Sequence, residues 1–147
     1  MMTTLKHEGA SGSFTCIAML LAVIAVVATI VCSVMNSAYA LNALSTILVM
    51  EIGGILFTLI GVYMKGRQGN TAIFSFVPVL FSIFVMIQAV GKLLSERILM
   101  IAGLFSYNAQ NTAGWQVFYA TAVAMVALVV SAVLLIIASF LHPKADA

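Results

Sequence analysis

The sequence predicts an all-α integral membrane protein: a four-transmembrane-helix antiparallel bundle with both termini in the cytoplasm. Three observations predict it. First, 64% of the 147 residues are hydrophobic and only 7% charged, against about 45–50% and about 25% in a typical soluble domain. Mean hydropathy is +1.22. Ten charged side chains, six basic and four acidic, cannot clothe a water-exposed surface, and a disordered chain would need low hydrophobicity. Second, the apolar residues fall into four blocks, each long enough to supply the ~20 residues that cross a hydrocarbon core of ~30 Å. Third, the few Lys and Arg residues near the span ends favour one side of the membrane, four against two.

The first span is expected over about 13–35. Small residues recur along it at steps of three or four (Ala18, Ala22, Ala25, Thr29, Cys32, Asn36), the spacing of one helix face. Helices in lipid associate through such small-residue faces. Cys16 and Cys32 share this helix, about 24 Å apart by helical rise, beyond the reach of a disulfide. Both are expected to pack as small apolar residues, and without a C-x-x-C a thiol oxidoreductase is disfavoured. Residues 37–40 (SAYA) have the form of a signal-peptidase site. The apolar stretch before them exceeds 20 residues, whereas signal cores run about 7–15, so the first helix is expected to be retained.

A tight turn over 36–42 (NSAYALN) leads to the second span, about 43–64. Glu51, Gly54, Thr58 and Gly61 share one face of it. The short loop 65–70 (KGRQGN) then leads to the third span, about 73–94, where Ser75, Pro78 and Ser82 share a face and Pro78 is expected to kink the first turns. Residues 95–114 are expected to form the one long outer loop. Within it the apolar run 98–105 (ILMIAGLF) is too short to cross a bilayer. It suits an interfacial or re-entrant segment, or an extension of the third helix. The fourth span is expected over about 115–141, with a small-residue face of Ala120, Ala124, Ala127, Ser131 and Ala138. No internal repeat, linker or second domain interrupts 1–147. Strict G-x-x-x-G is absent, so no specific dimer motif is signalled.

Orientation follows from Lys and Arg near the span ends. Placing both termini inside puts Lys6, Lys65, Arg67 and Lys144 in the cytoplasm and leaves Lys92 and Arg97 outside. Tyr39, Tyr107, Trp115 and Tyr119 then form an outer aromatic girdle, with Tyr63 at the inner interface. Together with the lack of an N-x-[ST] acceptor, this suits a bacterial plasma membrane.

Chemistry must come from a handful of residues. Glu51 stands about 12 Å inside the second span by helical rise, where an ionisable group costs at least about 2.5–3.5 kcal/mol and normally faces the bundle interior. One reading is a proton- or cation-binding carboxylate. The other is interhelical glue, with Glu51 hydrogen-bonded to Thr58, Gln88 or a backbone carbonyl. Gln88 and Lys92, one turn apart on the third span, are the nearest candidate partners. Lys92 can instead snorkel to the outer interface or pair weakly with Glu96 at i, i+4. In the outer loop, Tyr107, Asn108, Gln110, Asn111 and Trp115 could contact a sugar or peptide. Equally, they suit interfacial anchoring and capping of the fourth helix.

His7 and His142 make a poor metal site without further ligands, so neither metal nor cofactor is expected. Phosphate-binding, zinc-protease and nucleophile-elbow motifs are absent, and no nucleophile, base and orienting group can be assembled; an enzyme is not expected. Without a basic stripe, nucleic acid is not an expected partner. The expected partners are the lipid bilayer and other membrane helices, in a hetero-complex or a homo-oligomer. Two roles remain: a helical subunit or scaffold of a larger membrane complex, or a small homo-oligomeric transporter or channel using Glu51.

Overall fold

A computed structural model describes residues 9–68 and 72–141, with side chains described for 9–65 and 74–141. Among the described residues four helices follow one another: α1 (Ala10–Val34), α2 (Leu44–Gln68), α3 (Ala72–Ser106) and α4 (Thr112–Phe140), with a 3-10 turn, Ser37–Tyr39, between α1 and α2. All four are long and apolar enough to cross a membrane. Helix α1 packs most extensively on α4, and α2 on α3; α3 against α4 and α1 against α2 close the ring.

The faces that meet are the small-residue faces. Ala18, Ala22, Ala25, Thr29 and Cys32 of α1 are buried, as are Ala124, Ala127, Leu128, Ser131 and Ala138 of α4. Serine hydroxyls tie this pair: Ser11 donates to the Ala138 carbonyl at 2.9 Å and Ser131 to the Ala18 carbonyl at 2.7 Å. Between α2 and α3 two glycines permit a close approach. A Cβ at Gly61 would lie 2.7 Å from Val79 Cγ2 and 3.3 Å from the Ser75 carbonyl, and one at Gly54 would lie 2.9 Å from Met86 Cγ. Ser82 Oγ donates to the Gly54 carbonyl at 2.7 Å and shares a 2.7 Å hydrogen bond with Thr58 Oγ1. Such polar ties are each worth about 0.6–2 kcal/mol in lipid.

The outward faces carry large apolar side chains on every helix, among them Leu20, Val49, Phe84 and Val126. In water this surface would be an aggregation hazard. In a bilayer it is the surface that lipid wets, and it marks the chain as a membrane protein.

The third helix differs from its expected bounds. It does not end near residue 94 but continues to Ser106, passing through Pro78 near its start. Of the alternatives for 98–105, the structure takes the helical extension. The reason is periodic burial: Leu93, Arg97 and Leu104 are buried on one face of α3, so packing inward sustains the helix across the apolar run. The loop before α4 therefore shrinks to 107–111. Asn111 caps α4, its Oδ1 accepting from the Gly114 amide at 3.0 Å.

Candidate functional site

Two sets of polar residues lie along the last turns of α1 and the first turns of α2. The first surrounds Glu51, the eighth residue of α2 and wholly buried. Its Oε1 accepts from Thr29 Oγ1 of α1 at 2.6 Å. Its other oxygen, Oε2, is buried without a hydrogen-bond partner. One turn along α1 from Thr29, the Cys32 thiol donates to the Thr29 carbonyl at 3.2 Å.

The second set belongs to the extended part of α3. Glu96 accepts from the amides of Asn42 and Ala43, one to each carboxylate oxygen at 2.9 Å. These are donors at the start of α2 that no preceding helical turn can satisfy. A carboxylate there is favoured by the charge-assisted bonds and by the positive end of the helix dipole. Arg97 is 3% exposed. Its Nη2 donates to the Cys32 carbonyl at 2.9 Å, and its Nη1 to the Tyr39 carbonyl. Arg97 thereby satisfies carbonyls at the end of α1 and in the 3-10 turn, while its Nε remains buried and unpartnered. The connection is held from two further points. Ser33 Oγ accepts from the Leu41 amide at 3.1 Å, and Asn111 Nδ2 donates to the Tyr39 hydroxyl.

Several expected assignments change. Thr58 is buried but bonds Gly54 and Ser82, not Glu51. Gln88 and Lys92 are exposed on the outward face of α3 and do not partner Glu51. Lys92 is exposed, as its snorkelling alternative requires, and the two oxygens of Glu96 each accept from a backbone amide of the α2 start. The cause is helix phase: Gln88 and Lys92 lie away from the face on which Ser82, Met86, Ala89 and Leu93 are buried. Arg97, counted above as an outer cation, is a buried one. The partner missed was Thr29. Its signal was its place on the small-residue face of α1, where a hydroxyl among alanines is positioned to bond across an interface.

The loop candidates do not assemble into one cleft. Tyr107, Asn108 and Gln110 are exposed. Asn111 is taken up by the cap and by Tyr39. Trp115 Nε1 donates to the Ala109 carbonyl at 2.8 Å. Its ring packs edge-on against Phe105 and Phe118 at centroid distances of 5.1 and 5.5 Å, with Tyr119 at 6.1 Å. These aromatics and Tyr39 gather at one end of the bundle, as a membrane-interface belt would.

Among the described residues no three His, Cys, Asp or Glu side chains come together as metal ligands, and both cysteines are free. His7 and His142 lie outside the described residues. The arrangement suits structural hydrogen bonding: a carboxyl and a guanidinium, each anchored to the last turns of α1, hold α1, α2 and α3 together. Comparison of the chain with known protein families, with curated proteins and with solved structures returns no match.

Proposed function

We propose that the chain is a non-enzymatic, multi-pass membrane protein that serves as a helical subunit or scaffold of a larger membrane complex. In this reading four antiparallel spans cross a bacterial plasma membrane with both termini in the cytoplasm. The carrying observation is the inward use of polarity. Glu51 is 0% exposed and bonded to Thr29 on the adjacent helix, Glu96 caps α2, and Arg97 holds the end of α1. Acidic and basic groups engaged this way stiffen a bundle instead of lining a path through it. Orientation rests on Lys65 and the other cations on the proposed cytoplasmic side. With Arg97 buried, Lys92 is the exposed cation of the opposite side among the described residues, which strengthens the asymmetry on which the positive-inside argument depends.

The unpartnered Oε2 of Glu51 favours a second reading, a small homo-oligomeric transporter or channel coupled to protons or cations. Four spans in one copy leave such a pathway to be completed between copies. The test is purification of a tagged chain from its native membranes in mild detergent, with mass and stoichiometry determined. A fixed-ratio complex with a different protein supports the subunit reading. A pure homo-oligomer overturns it, and proton-coupled flux lost in Glu51→Gln would then establish the transporter.

A further inference from the structure

Among the described residues, two buried side-chain nitrogen or oxygen atoms lack a hydrogen-bond partner: Glu51 Oε2 and Arg97 Nε. One is an acceptor and the other a donor. Both side chains are anchored to the same turn of α1. Glu51 is held by Thr29 Oγ1 at 2.6 Å. Arg97 Nη2 is held by the Cys32 carbonyl at 2.9 Å and lies 3.8 Å from Cys32 Sγ, which itself lies 3.2 Å from the Thr29 carbonyl. The groups of α1 that anchor them, Thr29 and Cys32, are therefore one helical turn apart.

Charge balance points the same way. A guanidinium stays protonated in proteins, and a buried, uncompensated cation is strongly unfavourable. Arg97 is bonded to neutral carbonyls, which orient it without cancelling its charge. Of the two carboxylates among the described residues, Glu96 is engaged with the start of α2. Glu51 remains. A water molecule placed between the orphans can accept from Nε and donate to Oε2, and buried waters characteristically satisfy such stranded polar groups.

We infer that Glu51 and Arg97 form one buried charge pair, bridged by internal water across the Thr29–Cys32 turn, that locks α1, α2 and α3 together. The site's ligand is water, and its function is to neutralise and join two charges that the helices hold apart. This inference does not depend on whether the chain acts as a subunit or as a transporter.

The experiment is a double-mutant cycle on the full chain in detergent or nanodiscs, with Glu51→Gln, Arg97→Gln and the double variant compared by thermal midpoint. Each single change strands one charge, whereas the double change removes both. The double variant is expected to melt no lower than the worse single variant. Additive downward shifts overturn the pairing. Should Arg97→Gln fail to accumulate, the double variant is expected to accumulate better; equal or worse failure overturns the proposal. A high-resolution structure gives the direct check. Water density within hydrogen-bond distance of both orphan atoms is expected, and its absence in a map that resolves other internal waters refutes the bridge.

Discussion

Glu96 offers the sharpest test of how the end of the bundle is held. Its two oxygens each accept from a backbone amide, Asn42 and Ala43, at 2.9 Å. Hydrogen bonds to a charged group contribute about 1.5–3 kcal/mol each, and a carboxylate at a helix start adds about 0.3–1 kcal/mol through the dipole. The Asn42 contact is exposed and the Ala43 contact part-buried, so water can replace much of the former when the carboxylate is removed. The expected loss for Glu96→Ala is accordingly about 2–3 kcal/mol, from the lower part of those ranges. Glu96→Gln keeps one acceptor oxygen and is expected to lose about half as much. The assay is reversible unfolding in mixed micelles, read beside amide hydrogen exchange at Asn42 and Ala43, which should quicken in both variants. Lys92→Ala is the control and should change neither readout. The reasoning is refuted if Glu96→Ala unfolds within about 0.5 kcal/mol of the native chain, or if Lys92→Ala matches its effect. The latter result would mean that Glu96 acts through a surface ion pair instead of through the start of α2.

Other substitutions probe the interfaces. Gly61→Ala drives a methyl against Val79 and the Ser75 carbonyl and should cost about 1–3 kcal/mol in the same unfolding assay. Gly53→Ala meets nothing within 4 Å and should be neutral or mildly stabilising, since alanine is the better helix former. Thr29→Val removes the hydroxyl that donates to Glu51 Oε1 and should lose about 1–3 kcal/mol, with Thr29→Ser restoring most of it. Ser131→Ala gives up its bond to the Ala18 carbonyl and should lose about 0.6 kcal/mol, since that carbonyl remains within a helix. For the cysteines, a lipid-soluble maleimide should label the exposed Cys16 rapidly, and the buried Cys32 only on unfolding; equal rates would contradict the packing of α1 on its neighbours.

Membrane class, helix number and inward faces were legible in the sequence because they depend on quantities that add along the chain. Apolar length sets whether a segment can span, and the 3.6-residue period sets which small residues share a face. The stripes Ala18–Ala22–Ala25–Thr29 and Glu51–Gly54–Thr58–Gly61 are therefore the faces that pack. Glu51 was conspicuous for the same reason, since one carboxylate within an apolar run needs no neighbours to be noticed. Its partner depends on which helix stands beside α2 and at what height. Thr29 lies 22 residues away in the chain, and no period in either helix encodes that register. The 95–106 segment misleads in a related way. Glu96 and Arg97 look like loop charges because charges in apolar helices are costly, yet folding supplies the ends of two other helices as their partners. Those partners, the Asn42 and Ala43 amides and the Cys32 and Tyr39 carbonyls, exist as binding groups only once α1, the 3-10 turn and α2 are in place. Composition and periodicity thus determined that this chain forms four lipid-facing helices and which sides they turn inward. Only the tertiary structure decided which polar group meets which, because a hydrogen bond requires segments that the sequence leaves far apart to be placed to within a few tenths of an ångström.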